Sequence, residues 1–142
     1  MSEVINPDVA YITDEMSIKD AVQIMVDRKF SSVLIHDASE MVVGIVTESD
    51  IVRKVTLLEI EDKLTRPIST IMNRPVYFVS ASRLRQEITK IHLEHRIKHF
   101  PVLNGPEPKI ANIVGVVSLS DFVRLLIGPG ATAESPQTST AD

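Results

Sequence analysis

The sequence predicts an α/β (α+β) fold in which two similar β-α-β-β-α halves face each other about a pseudo-twofold axis. Ten residues, GIVTESDIVR, recur later in the chain as GVVSLSDFVR, and six of the ten positions are identical. Apolar strand-like runs and helical apolar patterns also follow in the same order in both halves, which is typical of layered α/β units. Because a twofold repeat is too short for a solenoid, we expect two packed halves.

Hydrophobic periodicity defines the elements of the first half. A short apolar strand is predicted at 9–12. A helix follows in which apolar residues recur three and four positions apart: Ile18, Ala21, Val22, Met25 and Val26. Two more strands are predicted at 33–35 and 42–46, and a closing helix is predicted over about 48–64, before Pro67 ends it.

The second half repeats this order. Strands are predicted at 76–79, 100–103 and 113–117, with a helix carrying Leu84, Ile88 and Ile91 and a closing helix from near Leu119. The extra residues of this copy, 105–108, are Gly-Pro-Glu-Pro and indicate a loop. We therefore expect a first repeat over 4–66 and a second over 67–127. The small and turn-forming residues at 128–142 predict a disordered tail.

Composition restricts the class of function. The 142 residues include no cysteine, which excludes disulfides, zinc–thiolate sites and cysteine nucleophiles. A formal charge of −4 and an aromatic content of 4% disfavour nucleic-acid binding. The apolar runs are shorter than a membrane span and no signal peptide is visible, so we expect a cytoplasmic protein without a membrane partner. The sequence carries no phosphate-binding glycine loop or nucleophile motif, so we expect no enzyme activity.

Three motifs carry a resemblance to the CBS (cystathionine-β-synthase) domain family in its tandem form. They are the pair GIVTESD and GVVSLSD, the strand entry KHFPV at 98–102, and the lead-in segment STIMNRPV at 69–76. The resemblance covers roughly residues 4–127. It implies two repeats packed sheet to sheet, with two equivalent clefts that bind AMP, ADP, ATP or S-adenosylmethionine. It also implies a homodimer in which two such pairs form a flat disc.

The repeated motif places polar side chains where a buried strand meets a helix N-terminus, a position that favours anions. Asp50 and Asp121 can accept hydrogen bonds from the two hydroxyls of a ribose, so we predict that they bind ribose. The other predicted nucleotide-binding residues supply hydroxyls, aliphatic contacts or charge: Thr47, Ser49, Ser118, Ser120, Ile45, Val116, Lys98 and His99. Since Thr-x-x-Asp and Ser-x-x-Asp are also helix-capping patterns, a purely structural role stays open.

The two copies differ in charge. Where the second copy has Lys98 and His99, the first has Ser31 and Ser32, which carry no charge. We therefore predict unequal clefts, of which the one served by Lys98 and His99 binds the more highly charged ligand better. Four arginines can add positive charge, although surface arginines are commonly only solvated: Arg53, Arg74, Arg96 and Arg124.

A cluster of histidines raises the question of a metal site. His92 and His95 lie three residues apart and share a face of the predicted helix, and His99 follows closely. A metal site also needs convergent ligands and a supporting carboxylate, and Glu94 points elsewhere on the helix. We therefore expect an exposed polar face, no metal, and no required cofactor other than the nucleotide ligand.

Three functions remain open at this point. A sensor of nucleotides would pass a conformational change to a separate effector protein. A ligand-free dimerisation or assembly module would use the same fold without binding a nucleotide. An enzyme acting on nucleotides is the third alternative, and it has the least support in the motifs.

Overall fold

The structure, a computed structural model, describes residues 4–127 of the chain. Its strands are β1 (Tyr11–Thr13), β2 (Ser32–His36), β3 (Val42–Thr47), β4 (His99–Leu103) and β5 (Ile113–Ser118). Its α-helices are α1 (Ile18–Arg28), α2 (Glu48–Asp50), α3 (Leu84–His95) and α4 (Leu119–Leu126). Short 3₁₀ turns lie at Lys63–Thr65, Ile68–Thr70, Ala81–Arg83 and Ile110–Asn112. The predicted disordered tail at 128–142 lies outside the described residues.

The two halves share the geometry of their antiparallel hairpins, and the mixed α/β architecture confirms the predicted fold class. β2 pairs antiparallel with β3, and β4 pairs antiparallel with β5. The register shifts at the same place in both hairpins, between Ile35 and His36 and between Val102 and Leu103. The halves meet in an apolar layer drawn from both of them: Leu34, Val42, Ile45, Val9, Tyr11, Val76, Phe78, Ile110 and Ile113.

Helix α1 shows how the predicted apolar pattern positions a helix. Its start is capped by Ser17, whose Oγ accepts a hydrogen bond from the Asp20 backbone N–H at 3.0 Å. Ile18 and Met25 are buried as predicted. Val26 is predicted to share their apolar face, but it is 65% exposed and lies outside the core. Eight positions along the helix turn Val26 about 80° away from Ile18, to the edge of the apolar face. Within residues 4–127, none of the helices has the length and apolar character to cross a membrane.

The lead-in segment of each half crosses to the other half. Asn6 exchanges two backbone hydrogen bonds of 2.9 Å with Val116 in β5. In the same way, the Asn73 backbone accepts from the Ile45 N–H in β3 at 3.2 Å and donates to the Ile45 carbonyl at 2.9 Å. Apolar side chains follow these crossings into the opposite core: Ile5 joins the second, and Ile68 and Ile71 join the first.

The glycine of the repeated motif marks each crossing. A Cβ atom added to Gly44 would overlap the side chain of Met72, and one added to Gly115 would overlap the Asn6 carbonyl and Ile5. Only a residue without a side chain allows the lead-in segment to lie this close to the strand. The identity of this position in both copies thus has a steric cause.

The first strand of the second half is absent, contrary to the prediction at 76–79. Val79 forms a single parallel bridge with Val102, whereas β1 at the equivalent place pairs over three residues. In the first half, the Leu34 N–H donates to the Ala10 carbonyl at 2.9 Å. Pro101 stands at the equivalent position of β4 and has no N–H to donate, so the ladder cannot continue toward Tyr77.

The closing helix of the first half is shorter than the predicted 48–64. Helix α2 continues as a π-helical stretch, Ile51–Val55, and helical conformation stops at residue 57. The carboxylates of Glu59 and Glu61 would lie at the negative end of a longer helix, which is unfavourable. Asp62 adopts a left-handed conformation with φ of 54°, which prevents a continuous helix.

Candidate functional site

Two clefts lie between the halves at equivalent positions of the repeat. The first cleft has a volume of about 840 Å³ and the second about 140 Å³. Because a site for a small molecule generally occupies about 300–1,000 Å³, only the first cleft is large enough for a nucleotide.

The predicted residues divide between the two clefts. The first cleft combines the end of β3 and α2 with the entry to β4: Ile45, Thr47, Ser49, Asp50, Lys98 and His99. The second cleft contains Val116, Ser118 and Asp121, and His99 lines it as well. Ser120 is exposed and lies outside the lining of both clefts. Each cleft is therefore built from both halves.

Asp50 is buried and forms a helix cap in the first cleft. Its Oδ2 atom accepts hydrogen bonds from the Thr47 backbone N–H at 2.8 Å, the Thr47 hydroxyl at 2.9 Å and the Asn73 side-chain amide at 2.6 Å. The residue is only 1% exposed. In this conformation Asp50 fits the capping interpretation of the motif, and its Oδ2 atom already accepts from three donors.

Lys54 and Asn73 complete a polar cluster that sequence analysis missed. The Lys54 Nζ atom donates to Asn73 Oδ1 at 2.6 Å and to the Ile71 carbonyl at 3.0 Å, and it lies 3.7 Å from Asp50 Oδ1. This cluster holds the lead-in segment against the end of β3. An asparagine before the first strand of both halves, Asn6 and Asn73, was the available signal.

Asp121 occupies the same motif position in the second cleft but has different surroundings. Its backbone N–H donates to Ser118 Oγ at 3.1 Å, as expected for a helix cap. Its carboxylate pairs with Arg124, and its side chain is 28% exposed. Of the two aspartates, Asp121 has the more accessible carboxylate, although the second cleft is the smaller one.

His99 is the residue that both clefts share. Its Nε2 atom lies 3.2 Å from the Ser31 hydroxyl of the opposite half. Burial lowers the pKa of His99. The nearby carboxylates of Glu48, Asp50 and Asp121 raise that pKa in part, while Lys98 lowers it. The imidazole is thus a partly buried contact between the halves.

An aromatic pair forms one wall of the first cleft. The rings of Tyr77 and His95 stack with centroids 4.3 Å apart and an interplanar angle of 22°, and both residues line the cleft. The sequence predicts an exposed helix face for His95, and none of its motifs points to Tyr77. Repetition gave no signal for Tyr77, because its counterpart in the register of the first half is Ala10. Flat aromatic surfaces of this kind suit a purine base.

The histidines of α3 contact other groups of the protein. His92 Nδ1 is hydrogen-bonded at 2.8 Å to the carbonyl of Ile97, which follows the C-terminal end of the helix. In the part of the chain that the structure describes, no group of three His, Cys, Asp or Glu side chains is arranged to hold a metal ion.

Comparison with known proteins identifies the family. The CBS domain model matches residues 1–57 and 68–128. An uncharacterized 17.7 kDa protein of Acidianus ambivalens is 24% identical over 127 residues, which are 89% of this chain and 73% of that protein. The CBS domain-containing protein CBSCBSPB1 of Arabidopsis thaliana is 28% identical over 110 residues, which are 78% of this chain but 19% of the plant protein.

Solved structures show the same fold. A CBS-domain containing protein of Agrobacterium tumefaciens matches with a TM-score of 0.70 and 25% identity, over 84% of this chain and 90% of that one. The CBS domain pair of protein MJ0100, in complex with 5′-methylthioadenosine and S-adenosyl-L-methionine, matches with a TM-score of 0.72 and 21% identity, over 88% and 93%. A hexameric CBS-CP12 protein of bloom-forming cyanobacteria has a TM-score of 0.72 and 26% identity, over 96% and 73%. With the repeated motif and the paired clefts, these matches show that the chain belongs to the CBS domain family, as a tandem pair.

Proposed function

We propose that this tandem CBS pair is a non-catalytic regulatory module that binds an adenine nucleotide or S-adenosylmethionine in its first cleft. The observation that carries the proposal is the cleft itself: about 840 Å³ of space between the strand-end motif of one repeat and Lys98 and His99 of the other. The adenosine-containing ligands of the MJ0100 pair support this class of ligand. A cytoplasmic location and a separate effector protein belong to the same proposal.

The lining of the first cleft supplies a partner for each part of a nucleotide. Ile45 and the stacked rings of Tyr77 and His95 offer apolar and aromatic surface to the base. Ser49 is exposed in the cleft and offers a hydroxyl to the ribose. The ammonium of Lys98 at the rim attracts a phosphate.

The signal is a change in how the two halves lie against each other. A ligand in the first cleft touches β3 of one half and the lead-in segment and β4 entry of the other. A ribose hydroxyl that binds Asp50 Oδ2 competes with the 2.6 Å bond that Asn73 donates to the same atom. Binding then favours one arrangement of the halves over another, which a partner protein can detect.

Isothermal titration of the full chain with AMP, ADP, ATP and S-adenosylmethionine tests the proposal. We expect saturable binding of at least one of them. Ser49→Trp, which places a bulky ring in the first cleft, should weaken that binding at least about tenfold, because the ring occupies part of the ligand's space. Ser120→Trp is the matched control, since Ser120 is the counterpart of Ser49 and lies outside both clefts. Absence of binding by a folded sample would overturn the proposal in favour of an assembly module.

A separate observation supports self-association. Four exposed apolar side chains occupy equivalent places on the outer helical segments of the two halves: Val26 and Leu93, and Val52 and Val123. Their exposure lies between 54% and 67%, which leaves apolar surface facing water at matching positions. We propose that a second copy of the chain covers this surface in a homodimer. The same surface fits the alternative function, a ligand-free assembly module.

A further inference from the structure

The first cleft carries an excess of positive charge. Its lining includes one carboxylate, that of Asp50, and five cationic side chains: Arg53, Lys54, Arg74, Arg96 and Lys98. The whole chain has a formal charge of −4, so this excess is local. A cleft lined by one sign of charge concentrates ligands of the opposite sign.

Only some of these cations already have a partner within the protein. Arg53 Nη2 lies 3.4 Å from Asp50 Oδ1, and Lys54 belongs to the polar cluster with Asn73. The ion pairs formed among residues 4–127 include none with Arg74, Arg96 or Lys98. These three side chains are exposed and come from one half. Their charges are therefore accessible to an anionic ligand.

The second cleft lacks this excess at the equivalent positions. Ser31 stands in place of Lys98, and Pro7 stands in place of Arg74. Lys29 corresponds to Arg96 but shares the cleft with the carboxylates of Asp8 and Asp121. The three unpaired cations are therefore a feature of one cleft and not of the repeat.

We propose that the first cleft selects its ligand by phosphate charge, and that Arg74, Arg96 and Lys98 determine this specificity. This inference rests on the proposed function and narrows it to a nucleoside di- or triphosphate. A triphosphate offers three anionic groups to three cations, and each charge-assisted hydrogen bond is stronger than a neutral one. A monophosphate offers one group, and the sulfonium of S-adenosylmethionine adds a positive charge that these cations repel.

The test compares four ligands by isothermal titration of the full chain in EDTA at moderate salt: ATP, ADP, AMP and S-adenosylmethionine. We expect ATP to bind at least about tenfold more tightly than AMP or S-adenosylmethionine, which corresponds to the loss of one or two charged contacts. Inorganic tripolyphosphate serves as a probe without base or ribose and should compete with ATP. A higher salt concentration should reduce the preference, because salt screens exposed charges.

Charge-removing variants assign the preference to residues. Arg74→Gln and Lys98→Gln should each lower ATP affinity about five- to tenfold and AMP affinity less, since a phosphate contact is lost. Lys90→Gln is the matched control, because Lys90 is exposed on α3 and lies outside both clefts. Circular dichroism of each variant checks that the fold is intact.

The outcomes separate the two proposals. If AMP or S-adenosylmethionine binds as tightly as ATP, the charge selection is wrong while nucleotide binding stands. If none of the four ligands binds, the proposed function fails and this inference fails with it. If ATP is preferred equally by wild type, Arg74→Gln and Lys98→Gln, the assignment to these residues is overturned.

Discussion

Asp50 and Asp121 occupy the same position of the two repeats, yet their carboxylates differ in accessibility. The side chain of Asp50 is 2% exposed and that of Asp121 is 28% exposed. Asp50 joins the end of β3 to the lead-in segment through Asn73, whereas Asp121 pairs with Arg124 on its own helix. The repeated aspartate thus caps its helix and connects the two halves in one copy, whereas in the other it forms an ion pair within its own helix.

This difference predicts unequal losses of stability. Asp50→Ala removes the acceptor for Thr47 and Asn73 and leaves Lys54 without its carboxylate. We expect it to lower the free energy of unfolding by about 3 kcal/mol. Asp121→Ala loses a more solvated contact and should cost about 1 kcal/mol. Urea unfolding followed by circular dichroism measures both, and equal losses would contradict the structural role of Asp50.

His99 predicts a dependence of stability on pH. Its pKa in the folded protein is lowered by burial, below the unfolded value of about 6.5. The unfolded state therefore binds more protons as the pH falls. The contribution of His99 to stability is present above about pH 6.5 and is lost as the pH falls through the folded pKa.

The variant His99→Gln isolates this effect. It keeps a polar side chain near Ser31 but cannot take up a proton at that position. We expect its free energy of unfolding to fall less than that of wild type when the pH drops from about 7 to about 5. Thermal or urea unfolding at several pH values measures the difference. Parallel pH profiles for the two proteins would show that His99 does not control the acid sensitivity.

The recurrence of the motif in both halves explains which residues of the site can be predicted from the sequence. The residues of the repeated motif appear in both copies and so stand out, and the structure brings Thr47 and Lys98 to one cleft from opposite halves. Lys54 breaks the repeat, because its counterpart in the second copy is Leu125. The bond from Asn73 to Asp50 depends on the crossing of the lead-in segment, a long-range feature that no local pattern reveals.

Local patterns predicted most of the elements, and distant residues decided the exceptions. Helices α1, α3 and α4 and the two hairpins follow from periodicity within their own residues. The strand expected at 76–79 is lost because Pro101, in the partner strand, has no N–H at the required position. Because strand pairing depends on both strands, the sequence of residues 76–79 alone does not determine whether they form a strand.

The crossing of the lead-in segments predicts that the two motif glycines differ in their tolerance of a side chain. A Cβ on Gly115 would lie 2.9 Å from the Asn6 carbonyl carbon, which is fixed by backbone pairing. A Cβ on Gly44 meets mainly the flexible side chain of Met72. We expect Gly115→Ala to cost about 3 kcal/mol and Gly44→Ala about 1 kcal/mol.

Urea unfolding of the two glycine variants side by side tests this order. The comparison is internally controlled, since both substitutions add one methyl group at equivalent strand positions. A larger loss for Gly44→Ala than for Gly115→Ala would contradict the steric explanation.

At the scale of the whole molecule, the hairpins of the two halves are more alike than the clefts between the halves. The hairpins share their register, but the clefts differ about sixfold in volume, at about 840 Å³ and 140 Å³. The outer apolar positions, by contrast, are kept in both halves. The two halves therefore differ clearly where a ligand is proposed to bind.

The proposed homodimer predicts a specific loss of assembly. Val52→Lys combined with Val123→Lys places two charges on the apolar surface, and burial of an unpaired charge at an interface is costly. We expect the wild-type chain to elute as a dimer and the double variant as a monomer in size-exclusion chromatography with light scattering. Ser39→Lys, in the exposed turn after β2, is the control and should stay dimeric. A monomeric wild-type chain would rule out this assembly.

The crossed lead-in segments also bear on how such a chain can arise. Ile5 fills the second core, and Ile68 and Ile71 fill the first, so neither repeat encloses its own interior. A lone ancestral repeat would be complete only after exchanging these segments with an identical molecule, as in domain swapping. Gene duplication then joins the exchanging partners in one polypeptide. An intermolecular exchange would thereby become intramolecular, and the two clefts of one chain could then change independently of each other.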